Sequence, residues 1–395
     1  MRSFEYYTPT KVIFGKDTHL KIGELLEDYN CHKVLIHYGS ESAVKSGLIH
    51  EISNCLTEAG IDFVTLGGVV PNPRLSKVRE GIELCKKEGV DFILAVGGGS
   101  VIDSAKAIGY GVANPWTDVW NFFLKTEIPN ACLPIGAIPT IAASGSEMSG
   151  SCVITNEDGW LKRGSTRSDL CRPKFTLMNP RLTYTLPEYQ TESGCVDILL
   201  HTMERYFVNI ETMEITDSIS ESLMQTVIYN ARILLNEPGN YNARAEIMWA
   251  GSLSHNGLTG LGRAKDFSVH KLGHALGAKY DKAHGATLSA VWESWAEYVY
   301  KNDEERFAHY AKKVWGVEEE DVAKAAKEGI RRTVEYFREI HMPTNLKELE
   351  IGEVSEEDLR ELAMAATLND TVKLSKIKEL TAEDVYQIFR KAAGK

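Results

Sequence analysis

Five residues of the metal-ligand type are gathered in the second half of the chain. Asp197 and His201 stand in CVDILLHTM, and His270, His274 and His284 in SVHKLGHALGAKYDKAHG. One carboxylate with several imidazoles suits Fe(II) or Zn(II), and an incomplete protein shell leaves positions for a substrate. Residues four apart on a helix share a face about one turn apart, which pairs Asp197 with His201 and His270 with His274. His284 is the awkward member, because fourteen residues of straight helix would carry it roughly 21 Å from His270. The chain must turn back between them, and Tyr280-Asp281-Lys282-Ala283, bounded by Gly277 and Gly285, is where the sequence allows it. On spacing alone three readings stay open: a catalytic metal site, a closed structural one, or histidines packed in a core.

A second kind of chemistry is written in the first half. DFILAVGGGSVIDSAKAIGYG runs an apolar strand into Gly97-Gly98-Gly99-Ser100 and then a helix with Asp103 and Lys106 in its early turns. Glycines let the backbone approach a pyrophosphate closely, and amides at a helix N-terminus favour its charge. The loop matches neither G-x-G-x-x-G nor the P-loop pattern, so a phosphate site and a plain tight turn are both open. Tyr38-Gly39-Ser40-Glu41-Ser42 follows the first interior strand, where a doubly wound sheet can meet an adenosine ribose. PTIAASGSEMSGS (139–151) is dense in small and hydroxyl residues that can wrap a ligand. Each of the last two is equally readable as an ordinary polar loop.

These residues need elements to hold them. KVLIHYG (33–39), DFVTLGG (62–68), DFILAVGGGS (91–100) and LPIGAIPT (133–140) read as strands, and SGLIHEISNCLTEAG and LSKVREGIELCKKEG between them as one-sided helices. That alternation predicts a largely parallel sheet. From about residue 188 the strand signals stop. TESGCVDILLHTMERYF, DVAKAAKEGIRRTVEYFREI and SEEDLRELAMAATL read as helices, and Ser355-Glu-Glu-Asp358 and Thr381-Ala-Glu-Asp384 have the spacing of capping boxes. A chain of 395 residues exceeds one core at ~100–200 residues per domain, which points to two. The expectation is an α/β domain over residues 1–187 and an all-α domain over 188–395.

Composition narrows the class. Hydrophobic content of 43% and charged content of 25% are those of a globular protein. A net charge of −11 without a basic cluster argues against nucleic acid as a partner. No stretch approaches the ~18 apolar residues of a membrane span, and MRSFEYYTPTKVIFG lacks the apolar core of a signal peptide. The seven cysteines are odd in number, scattered and never C-x-x-C, as expected of reduced thiols in a cytoplasmic protein.

Taken together, Asp-x-x-x-His, His-x-x-x-His with His-Gly further on, and Gly-Gly-Gly-Ser-x-x-Asp-x-x-Lys resemble the iron-containing (group III) alcohol dehydrogenase family, in its butanol dehydrogenase and aldehyde reductase branch. The resemblance runs end to end, through TPTKVIFGKDT, VVPNPRLSKV, AVGGGSVIDSAK, ASGSEMSGSCVITN, LTYTLPEYQT and YNARAEIMWAGSLSHNGL. It implies a dehydroquinate synthase-like architecture, with dinucleotide bound by the first domain and metal by the second. It implies one divalent metal, Fe(II) or Zn(II), on Asp197, His201, His270 and His284, with His274 beside the metal and passing a proton. For NAD(P)(H) it implies Gly98, Gly99 and Ser100 at the pyrophosphate, Gly39, Ser40 and Ser42 at the ribose, and Thr140, Ser144, Ser149, Ser151, Lys162 and Leu182 lining the cleft.

There are departures from the family pattern. Ser144 replaces the more usual Thr, and Ser149 stands where related reductases have Asn. The ribose loop is Tyr-Gly-Ser-Glu-Ser where aldehyde reductases of the branch have Tyr-Gly-Gly-Gly-Ser. NAD-preferring relatives place Asp at the position of Ser40. Ser40 and Ser42 therefore lean toward NADP(H), with Glu41 opposing. The implied reaction is reversible reduction of a short-chain aldehyde to a primary alcohol, the carbonyl polarised by the metal and hydride carried by the nicotinamide. A homodimer paired through the first domain is implied as well. Leu199, Leu200, Phe267, Leu272 and Trp295, expected near the site, favour a modest apolar substrate over the polyol of a glycerol-type dehydrogenase. The rivals of a different class are a metallohydrolase and an inert nucleotide-binding module.

Overall fold

The structure, a computed structural model, describes residues 1–395 except 40, 166–168 and 209–212. The chain divides into two compact units, Tyr7–Thr185, and Leu186–Lys395 together with Met1–Tyr6. The first six residues, expected with the α/β half, thus belong to the helical one, where the Arg2 amide donates to the Gly262 carbonyl at 2.9 Å.

The α/β unit carries strands β1 (Lys11–Phe14), β2 (Lys33–Tyr38), β3 (Asp62–Leu66), β4 (Phe92–Gly97), β5 (Ile135–Pro139), β6 (Val153–Asn156), β7 (Leu161–Gly164) and β8 (Phe175–Met178). Its helices are α1 (Ile22–Glu27), α2 (Ser42–Lys45), α3 (Leu48–Glu58), α4 (Leu75–Glu88), α5 (Gly99–Ala113) and α6 (Trp120–Leu124). Among the described residues the main sheet has the order β1-β8-β5-β4-β2-β3, with every pairing parallel. β4 is buried at all six positions because both faces are covered. Ile93 and Ala95 pack with α4 and α5 residues such as Val78, Ile82 and Ile108, while Phe92, Leu94 and Val96 pack on the other face with Ile22, Leu26, Ile52 and Leu56. The chain runs from β2 out to β3, then returns to β4 on the other side of β2 and proceeds through β5 to β8. The crevice outside the carboxyl ends of β2 and β4 is therefore the topological switch point, where open α/β sheets take their ligands.

The helical unit comprises α7 (Glu188–Tyr206), α8 (Glu214–Asn236), α9 (Tyr241–His255), α10 (Ser268–Tyr280), α11 (His284–Val299), α12 (Glu304–Trp315), α13 (Val322–Glu339), α14 (Glu356–Ala366) and α15 (Ala382–Ala392). α7 is the central element and is buried at every position from Thr191 to Tyr206, the polar Glu192, Asp197, His201, Glu204 and Arg205 included with the apolar residues of CVDILLHTM. Both capping boxes form: Ser355 and Asp358 open α14, and Thr381 and Asp384 open α15. No helix among the described residues is long and apolar enough to cross a membrane.

Candidate functional site

α7 sets one carboxylate among imidazoles from three helices. Asp197 and His201, one turn apart, face α10 and α11, and His201 Nδ1 lies 3.5 Å from Asp197 Oδ1. His270, in the first turn of α10, brings Nε2 to 3.4 Å from the same oxygen. α10 ends at Asp281, whose φ of 51° is left-handed, and α11 starts at His284, so the reversal falls where the sequence allowed it. It returns His284 Nε2 to 3.7 Å from Asp197 Oδ1.

Gly285 permits that approach. A Cβ there would lie 2.7 Å from the carbonyl carbon of Ser193, so only a glycine lets the start of α11 rest against α7.

The arrangement fits a divalent ion. The three N···O separations exceed those of good hydrogen bonds and match the edge of about 3.4 Å expected between ligands holding an ion with bonds of about 2.1 Å. The ligand atoms of Asp197, His201 and His270 lie within 4.8 Å of one another. His201 Nδ1 and His270 Nε2 are buried without a hydrogen-bond partner, which is costly for an imidazole nitrogen unless something coordinates it. The two rings are driven opposite ways. Burial pushes His201 far down, with His255 and His270 adding to it. Burial also lowers His270, but the charges of Glu204 and Asp197 outweigh it and raise the ring to about 9. His284 stands at the open side, its side chain 29% exposed. His274 is half-buried beside the cluster, its ring centroid 5.2 Å from that of His284. Another carboxylate–imidazole group, Glu188, Glu192 and His341, has two of its three members exposed, where such pairs form without a metal.

Of the expected dinucleotide residues, Gly39 and Ser42 follow β2, Gly98, Gly99 and Ser100 follow β4, and Thr140, Ser144, Ser149 and Ser151 follow β5, whereas Lys162 lies in β7 and Leu182 follows β8. α5 opens directly from the glycine loop, with Gly98 as N-cap and Gly99 as first helical residue. A Cβ on Gly99 would fall 2.9 Å from the Cβ of Ser144, so the loop after β5 closes over the helix start only because that position is bare. Lys106 holds this loop. Its wholly buried ammonium donates to the carbonyls of Ser146 (2.8 Å), Ser149 (3.0 Å) and Ser151 (2.8 Å) and to Ser146 Oγ (2.7 Å). Ser146 Oγ donates onward to Asp103 Oδ1 at 2.6 Å, and Asp103 Oδ2 accepts from the Val153 amide at 2.9 Å.

Gly39, Gly98, Gly99, Ser100, Thr140, Ser144, Ser151, Lys162 and Leu182 are all partly open, and Ser42 is exposed. Ser149 is 2% exposed, with its hydroxyl against that of Ser151. Lys162 donates to Asn72 Oδ1 at 2.8 Å. Ser40 lies outside the described residues.

Other residues went unflagged. Glu204 accepts from the His270 amide at 3.1 Å and meets its ring Nδ1. Its position, seven residues after Asp197 on one helix face, was a usable signal. His255 packs on His201 with centroids 4.3 Å apart and accepts from Arg205 at 3.2 Å; no spacing tied it to the other histidines. Of the residues expected near the site, Leu199, Leu200, Leu272 and Trp295 are fully or almost fully buried, and Trp295 packs on Phe207 and Phe307. Phe267 lies 5.3 Å from the His270 ring.

Comparison with known proteins agrees with both halves. Residues 9–180 match the iron-containing alcohol dehydrogenase model, and residues 191–393 the C-terminal model of the Fe-containing alcohol dehydrogenase family. The chain is 39% identical to NADH-dependent butanol dehydrogenase A of Clostridium acetobutylicum, covering 99% of this chain and 100% of the relative. It is 34% identical to the NADPH-dependent aldehyde reductase YqhD of Escherichia coli, covering 88% and 89%. The crystal structure of NADH-dependent butanol dehydrogenase A from Thermotoga maritima superposes with a TM-score of 0.95 at 36% identity, covering 100% of this chain and 99% of that one.

Proposed function

From the chain's membership of the iron-containing alcohol dehydrogenase family, we propose that it interconverts short-chain aldehydes and primary alcohols with NAD(P)H and one divalent metal, iron or zinc. The observation that carries the metal is the convergence of three imidazole nitrogens on Asp197 Oδ1 at 3.4, 3.5 and 3.7 Å. Asp197, His201, His270 and His284 would hold the ion. When bound, it supplies a Lewis acid for the substrate oxygen. The rest falls to the protein and the dinucleotide. Gly98, Gly99 and Ser100 present the amides of the α5 start to the pyrophosphate, and Lys106 keeps the 146–151 carbonyls in place beside them. When bound, the nicotinamide would supply a hydride to the carbonyl carbon, and the alcohol oxygen would need one proton. His274 is the group we assign to supply it, since it is near the cluster, partly open to water and of the side-chain type that exchanges protons near neutral pH.

Phe267 beside the histidines favours an apolar substrate such as butanal. Arg205 and His255 next to His201 favour a second reading in which a hydroxyaldehyde or diol is taken. For the cofactor, Ser40 and Ser42 remove the acidic group that would repel a 2′-phosphate, and Glu41 is ion-paired with Lys45, which reduces its opposition. We therefore assign NADPH as a substrate at least as good as NADH, although the butanol dehydrogenase relatives are NADH-dependent. The metallohydrolase alternative is disfavoured by the match of both halves to dehydrogenase models. The seven cysteines are all thiols, which suits a reducing cytoplasm, and β1 at the sheet edge is the natural seam for a homodimer.

Metal analysis of the purified protein, with NADH and NADPH oxidation followed on butanal, propanal and a short hydroxyaldehyde, tests the reading. Chelation should abolish turnover and Fe(II) or Zn(II) should restore it; full activity in metal-free protein overturns it.

A further inference from the structure

Glu204 makes an unusual use of a buried carboxylate. It lies on α7 three residues beyond His201, with its side chain 1% exposed. Rather than meeting a cation such as Lys or Arg, it takes two contacts from one histidine. Its Oε1 accepts from the His270 backbone amide at 3.1 Å, and its Oε2 meets His270 Nδ1. The amide is an orphan donor of the first turn of α10, so the same group caps that helix and grips the imidazole on its third residue. A carboxylate is purely an acceptor, so an Nδ1 facing it must carry the proton, and the lone pair then belongs to Nε2. Nε2 is the atom 3.4 Å from Asp197 Oδ1.

We propose that Glu204 is a positioning residue that fixes the ring angle and tautomer of His270, so that Nε2 faces the metal. The inference rests on the metal-site reading above. Glutamate is suited to this place for a reason of counting. The site presents two donors, the amide N–H and the ring Nδ1–H, and Glu offers an acceptor oxygen to each. Glutamine has one oxygen and one NH2. If its oxygen keeps the amide, its NH2 faces Nδ1 and favours the tautomer with the proton on Nε2. If the oxygen turns to Nδ1, the amide faces a donor. The first arrangement loses the Nε2 lone pair that would face the metal and the second loses the contact to the amide, with almost no change of shape.

The test compares wild type and Glu204→Gln for Zn(II) affinity by competition with a chromophoric chelator. NADH binding by fluorescence and the circular dichroism spectrum serve as checks of the remaining structure. The expected result is a 10- to 100-fold weaker Zn(II) affinity with dinucleotide binding unchanged. Equal Zn(II) affinity in the two proteins overturns the positioning role while leaving the metal site standing. Absence of stoichiometric Zn(II) binding in wild type overturns both. Should Glu204→Gln not fold, nitrogen-15 NMR of the Zn(II)-loaded wild type decides alone. A protonated Nδ1 and metal-bound Nε2 at His270 support the proposal, and coordination through Nδ1 overturns it.

Discussion

Gly285 and Ser193 are in backbone contact: a Cβ on the glycine would lie 2.7 Å from the carbonyl carbon and 2.8 Å from Oγ of the serine. The relation fixes where α11 begins against α7, and His284 is the residue next to it. Gly285→Ala should therefore act on the metal site through the backbone. Overpacking of this kind costs about 1–3 kcal/mol, and a rigid carbonyl puts it at the upper end. The expected outcome is a lowered melting temperature with reduced metal content, read by calorimetry and elemental analysis; wild-type values of both would show that α11 yields freely.

Lys106 offers a second prediction. Its buried ammonium serves four oxygens of residues 146–151, and no methylene chain can replace those contacts. Lys106→Met strands the acceptors and leaves Asp103 with a changed partner shell, at a cost of about 3–5 kcal/mol if it resembles other broken buried pairs. Because the damaged loop borders the expected dinucleotide site, KM for NAD(P)H should rise more than kcat falls. Steady-state kinetics with varied cofactor checks this, and an unchanged KM would separate the loop from cofactor binding.

How much of this was legible depended on burial. β4 showed itself because a strand covered on both faces is an unbroken apolar run, DFILAVG. β1 and β8 were not expected as strands, since four-residue segments such as KVIF and FTLM are too short to display a period. Helix spacing joined Asp197 to His201 but favoured His270 with His274, because spacing knows nothing of a chain reversal. The resemblance named His284, and the turn at Asp281 shows how it arrives.

His37, inside β2, was not flagged at all. It is completely buried, with Nδ1–H donating to the Leu66 carbonyl at 2.9 Å and Nε2 accepting from Ser104 Oγ at 2.9 Å. Burial lowers its pKa from 6.5 to about 4. The unfolded chain thus binds the proton first on acidification. Stability is full above pH ~6.5, falls as pH drops toward 4, and is constant below, a total of about 3 kcal/mol. Denaturant unfolding between pH 7 and 4 should show this slope. In His37→Gln, which cannot titrate, the slope over that interval should shrink by about that amount.

The two histidines that spacing could not rank are separable by experiment. His284 Nε2 lies 3.7 Å from Asp197 Oδ1, whereas His274 meets the cluster through the rings of His270 and His284, at centroid distances of 6.2 and 5.2 Å. Removing His284 takes away a ligand; removing His274 takes away a proton source. His284→Ala should lose metal on dialysis, with turnover recovered in part by excess Fe(II) or Zn(II). His274→Ala should keep its metal and lose about 10²- to 10⁴-fold in kcat, the usual worth of a positioned acid or base. Its pH profile should lose the limb that His274 contributes. Wild-type kcat and pH profile in His274→Ala would remove it from the proton path, and full metal retention by His284→Ala would reduce the protein ligands to Asp197, His201 and His270.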